Sequence, residues 1–134
     1  MGVIIDTCIW VDIERGRLKP VDVAAPIHND AVFLTPTILA ELQYGVERAP
    51  TPSSRNLRLS AMARLRSKPC LIIDPDTGLL FGRIAAGLDN TGRPAKHRIH
   101  DLWIAAAAIQ HGYSLLTRNA SDFSDIPGLK LMVI

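Results

Sequence analysis

Short runs of continuous apolar residues alternate with longer stretches of helical periodicity along this chain. The runs Val3–Asp6, Val32–Leu34, Leu71–Ile73, Ser114–Thr117 and Leu131–Ile134 are Leu-rich or β-branched and show no polar alternation. A strand of that kind is expected in a parallel sheet covered on both faces. Between the runs, Thr35 stands as an N-cap before Pro36 and predicts a helix to Glu47. Asp74-Pro75 opens a second helix through Leu88 in the same way, and Ile99–His111 forms a third that ends at Gly112, a natural C′ residue. The stretch Ala49-Pro50-Thr51-Pro52-Ser53-Ser54 reads as a connection between helices, with Ser53 or Ser54 as the next N-cap. Strands alternating with helices predict an α/β fold: a three-layer α/β/α sandwich around a mainly parallel sheet of four to five strands.

Composition narrows the class. A chain of 134 residues with 48% hydrophobic and 21% charged residues suits a single domain, residues 1–134, with its own core. Cys8 and Cys70 are the only cysteines and form no CxxC, which speaks against a zinc ribbon or a thioredoxin-type site. No basic leader precedes Asp6, and the longest apolar-rich stretch, Leu102 to Ile109, is too short for a bilayer. The expectation is a soluble, cytoplasmic protein without a membrane partner.

The net charge is +2, but its distribution is uneven. Between Arg48 and Arg98 ten basic residues face three acidic ones, while the remainder holds five basic and ten acidic. A basic middle beside acidic flanks suits a polyanion approaching an acidic, metal-loaded pocket, although solvated helix faces would give the same count.

The acids in apolar surroundings carry the chemistry. Asp101 lies in Ile99-His100-Asp101-Leu102-Trp103-Ile104-Ala105-Ala106-Ala107-Ala108-Ile109, a helix apolar nearly all round, and shares a face with Ala105 and Ala108. A buried Asp there requires a metal or a base, with Arg98 or Lys96 as the plain salt-bridge alternative. Asp6 closes the first apolar run, where it either meets a partner, reaches solvent, or caps a helix starting near Cys8. Glu41 is followed one turn later by Gly45, and Asp122 sits in Thr117-Arg118-Asn119-Ala120-Ser121-Asp122-Phe123. Taken singly, the first reads as an exposed helix residue and the second as a capping acid. Gathered together, four carboxylates would repel one another, and a hard divalent ion would resolve this.

The set of motifs resembles the PIN-domain ribonucleases, and within them the VapC-type toxins of type II toxin–antitoxin pairs. The resemblance rests on Ile5-Asp6-Thr7, on Glu41-Leu42 with Gly45, on His100-Asp101-Leu102-Trp103-Ile104-Ala105-Ala106, on Leu116-Thr117-Arg118-Asn119 with Asp122-Phe123, and on the closing Ile126-Pro127-Gly128-Leu129-Lys130-Leu131. It implies that Asp6, Glu41, Asp101 and Asp122 are catalytic and carry Mg²⁺ or Mn²⁺, one or two ions, with Asp6 and Asp101 the foremost ligands. It implies that Thr7, Thr117 and Asn119 orient carboxylates or water behind them. It further implies hydrolysis of RNA, such as tRNA, by metal-activated water, a VapB-type antitoxin that covers the groove, and a homodimer. Cys8 stands where many relatives have Asn. Arg93, Lys96, His97, Arg98 and Arg118 flank the expected site and are candidate RNA contacts.

Other motifs fail on spacing. Cys8 and Arg15 are one residue too far apart for a phosphatase loop, and His97 and His100 form HxxH, not the metalloprotease i, i+4 pair. Trp10, Trp103 and Phe123 are expected in the core. Two rival readings stand beside the nuclease: a catalytically silent PIN-like scaffold that binds RNA or protein, and an acidic-site DNA nuclease or phosphatase.

Overall fold

The computed structural model describes residues 1–134. Its sheet has four parallel strands: β1 (Gly2–Ile5), β2 (Ala31–Phe33), β3 (Ser114–Thr117) and β4 (Lys130–Val133), in the spatial order β2-β1-β3-β4. The six helices are α1 (Thr7–Glu14), α2 (Pro20–Ile27), α3 (Pro36–Glu47), α4 (Pro52–Leu65), α5 (Pro75–Asp89) and α6 (Ile99–His111).

The apolar runs have no alternation because both faces of the inner strands are covered. Ile4 and Leu115 point into a core with Leu34, Ile38, Ile84 and Leu102. Val3, Ile5 and Leu116 point the other way, onto Ile9 of α1 and Val23 and Ile27 of α2. Helices α3 to α6 thus cover one face and α1 and α2 the other. The alanines of α6 are fully buried, which lets that helix lie close to its neighbours.

Helix ends follow the local chemistry. Thr35 and Asp74 cap α3 and α5, each with Pro next in the chain. Gly112 ends α6 with a φ of 68°, a conformation that costs a Cβ-bearing residue free energy. The cap of α4 is Thr51, not Ser53 or Ser54. Pro52 takes the first helical position, and Ser54 completes a capping box with Thr51.

The expected strand Leu71–Ile73 does not form. Its pairing with the edge beside β2 is one bridge, Leu34 to Cys70, with backbone bonds Leu34 N–H to Pro69 and Leu71 N–H to Leu34. Pro69 has no N–H to extend the ladder, and the Asp74 cap begins the next helix at once. Ile72 is left 75% exposed. No helix is long and apolar enough to cross a membrane.

Candidate active site

From β1 the chain moves outward to β2, whereas β3 lies on the other side of β1 and leads outward to β4. Connections leaving in opposite directions open a crevice at the carboxyl ends of the two central strands. Asp6 follows β1 and Thr117 ends β3, so both stand at that crevice.

Asp6 is 5% exposed and is the N-cap of α1. Its Oδ1 accepts the Thr7 N–H at 2.8 Å, and its Oδ2 accepts the Thr117 hydroxyl at 2.7 Å and the Cys8 thiol at 3.3 Å. The capping and site readings of Asp6 are therefore compatible. Thr117, wholly buried, also accepts the Asn119 N–H at 3.0 Å. The Asn119 side chain itself is exposed, so it is the backbone of this residue that reaches the network. Thr7 likewise divides its roles: its N–H serves Asp6, and its hydroxyl donates to Glu41 Oε1 at 2.9 Å.

Asp101 lies in the first turn of α6, with Ala105 and Ala108 fully buried on its face. Burial is the first cause that pushes its carboxyl up to about 6, and the charges of Asp122, Asp6 and Glu41 add to it. Arg98 opposes the shift, but no hydrogen-bond donor reaches the Asp101 carboxylate. Burial also raises Glu41, with Asp6 adding and Thr7 and His100 opposing. The four acids therefore share one electrostatic neighbourhood. His100 Nδ1 is 3.9 Å from Glu41 Oε2, at a side chain 71% exposed.

The donor set suits a hard divalent ion: carboxylate oxygens, half-buried, with Asp101 lacking any protein partner. No three acidic side chains close on a common point as a protein-only cage would. A hydrated Mg²⁺ requires only one or two carboxylates, its remaining positions being water.

The basic candidates separate. Lys96 and His97 are exposed and line a cleft with Glu41, His100 and Asp101. Arg98 lines the same cleft, but its guanidinium is engaged within the protein. Its guanidinium is 7% exposed, grips Asp125 through two bonds of 2.7 and 2.9 Å, and donates to the carbonyls of Asp122 (3.0 Å) and Arg93 (3.3 Å). Arg93 is bound to the Ser121 carbonyl and to Asp125, and Arg118 to Asp12 at 2.8 Å. Both remain partly exposed. Asp125 is the residue that sequence reasoning missed. No spacing marks it; the only signal is that a buried Arg98 demands an acid.

The PIN domain family profile matches residues 3–129. The chain belongs to the PIN-domain family, in its VapC branch. This PIN domain is 34% identical to Ribonuclease VapC1 of Rickettsia felis, over 100% of the chain and 97% of that relative. Among solved structures, it matches VapBC-5 of Mycobacterium tuberculosis, a member of the VapBC family of toxin–antitoxin systems. The TM-score is 0.78 at 29% identity, covering 100% of this chain and 98% of the other. It shares its fold with VapBC2 of Rickettsia felis, a structure bound to a promoter DNA fragment. That match has a TM-score of 0.83 and 24% identity, covering 100% of this chain and 99% of that one.

Proposed function

We propose that this PIN domain is a Mg²⁺- or Mn²⁺-dependent endoribonuclease and the toxin of a VapBC-type pair. The observation that carries the reading is Asp101: a half-buried carboxylate with no donor, beside three further acids. Burial and neighbouring negative charge shift such a group toward its neutral form, and a cation placed against it offsets that shift. Asp6 and Asp101 would hold the ion, with Glu41 and Asp122 completing the negative field. The ion, when bound, supplies a low-pKa water and stabilises charge on the phosphate oxygens.

The protein's own part is positioning. Thr117, Cys8 and the Thr7 N–H fix both oxygens of Asp6, and the Thr7 hydroxyl holds Glu41. Lys96 and His97 stand on the rim where a phosphate backbone would arrive. The names Ribonuclease VapC1 and VapBC-5 support RNA as substrate and a VapB-type antitoxin as partner. A homodimer is part of the same proposal.

Purified Asp6→Asn and Asp101→Asn proteins, with circular dichroism unchanged, are expected to cleave no RNA. EDTA is expected to stop the wild-type protein. Undiminished cleavage by both variants would refute the mechanism. Parallel assays on RNA and DNA oligonucleotides decide the nucleic acid.

A further inference from the structure

The acid cluster opens on two sides. One cleft holds Lys96, His97 and Asp101, and the other holds Thr7, Thr37 and Tyr44; Glu41 and His100 line both. The two clefts are the arms of one trough, with basic groups in one arm and an aromatic ring in the other.

Tyr44 is unlike the other aromatic residues. Phe33 stacks on Tyr113 and Phe81 on Trp103, Phe123 is in the core, and Trp10 packs against it. Tyr44 is 68% exposed and stacks on none of these rings. It lies three residues after Glu41 on α3, hence on the same side of the helix. Its ring is available to a flat ligand.

We infer that the Tyr44 arm of the trough seats one unpaired nucleobase of the RNA, stacked on the Tyr44 ring next to the phosphate held at the acid cluster. This rests on the ribonuclease reading above. A strand crossing the acids would lay its backbone along Lys96 and His97 and turn a base toward Tyr44. A base within a duplex already has both faces stacked, so the site selects single strands, loops and bulges.

The test uses the full chain carrying Asp101→Asn, which silences cleavage, and fluorescence anisotropy. The probes are a labelled, non-self-complementary RNA strand and the same strand annealed to its complement. Adding Tyr44→Ala is expected to weaken single-strand binding about tenfold, the effect of one lost base–aromatic stack. Duplex binding should stay unchanged, and Tyr44→Phe should bind as the parent does. The inference is overturned if Tyr44→Ala binds the single strand normally, or loses strand and duplex alike. The second result would mean a surface that does not discriminate bases. Binding of a peptide partner lost on Tyr44→Ala with RNA binding intact would assign the ring to protein instead. Wild-type cleavage with normal Tyr44→Ala binding removes only the base site. Absence of both cleavage and RNA binding removes the ribonuclease reading as well.

Discussion

The Thr117 hydroxyl donates to Asp6 Oδ2 at 2.7 Å, joining the end of β3 to the residue that follows β1. Both residues are buried, so neither water nor a surface rotamer replaces the bond. Thr117→Val keeps the shape but leaves the carboxylate one donor short and the Asn119 N–H without its acceptor. A loss of about 2 kcal/mol is expected, typical of a hydrogen bond to a charged group. Thr117→Ser should retain most of it. Thermal melts of the two variants check this; equal melting temperatures would remove Thr117 from its role.

Asp101 predicts a pH dependence. Its folded carboxyl titrates at about 6 against an ordinary 3.8, so folding takes up a proton between those values. The contribution of this group to stability is fully present below 3.8 and is lost as pH rises through about 6. Glu41, also raised, acts in the same direction. Carboxyl-carbon NMR titration of the metal-free protein should find Asp101 near 6. Glu41→Gln should lower that value, because the Glu41 charge is one of its causes. Titration in the ordinary carboxylate range would dissolve the cluster.

Arg98 predicts a stability effect with a different sign of pH dependence. Arg98→Met removes the grip on Asp125 and the Asp122 carbonyl, at an expected cost of about 3 kcal/mol. Arg98→Lys should recover less than half, since an ammonium cannot match the two-point geometry. Urea denaturation midpoints measure both. Arg98 holds the Asp125 carboxyl below its ordinary value. The contribution of Asp125 is therefore present above that ordinary value and is lost as pH falls through the lowered one.

The two thiols should differ in reactivity. Burial and the Asp6 charge push Cys8 up to about 11, while Cys70 is raised less and is exposed. Alkylation at mildly alkaline pH, followed by peptide mass mapping, should label Cys70 first. Preferential labelling of Cys8 would contradict the Sγ–Asp6 contact.

Much of this architecture is written locally. The helices Pro36–Glu47 and Ile99–His111 and the strand Ser114–Thr117 begin and end where caps, prolines and Gly112 place them. The apolar runs announce a sheet buried on both faces. Helix α2 was not legible, because Pro20-Val21-Asp22-Val23-Ala24-Ala25-Pro26-Ile27 carries two prolines and no clear stripe. The run Leu71–Ile73 reads as a strand because it is apolar, but pairing depends on a neighbouring backbone, and only Leu71 of the run is buried. Asp6 and Asp101 could be nominated from their apolar settings, Glu41 and Asp122 only through the family resemblance, and the structure gives all four one electrostatic neighbourhood. Which arginine stays free for a ligand depended on Asp125, a long-range partner. Sequence spacing does not reveal it.

The bond between Asp6 and Thr117 spans 111 positions of the chain, and β1 has β3 as one of its two neighbours in the sheet. During synthesis Asp6 emerges well before Asp101, its Thr117 partner and Asp122. A ribosome that stalls before β3 has made a fragment with half a sheet and an unfinished acid cluster. Under the reading proposed above, the nascent chain stays harmless to the RNA of the ribosome making it until β3 and Asp122 have been made.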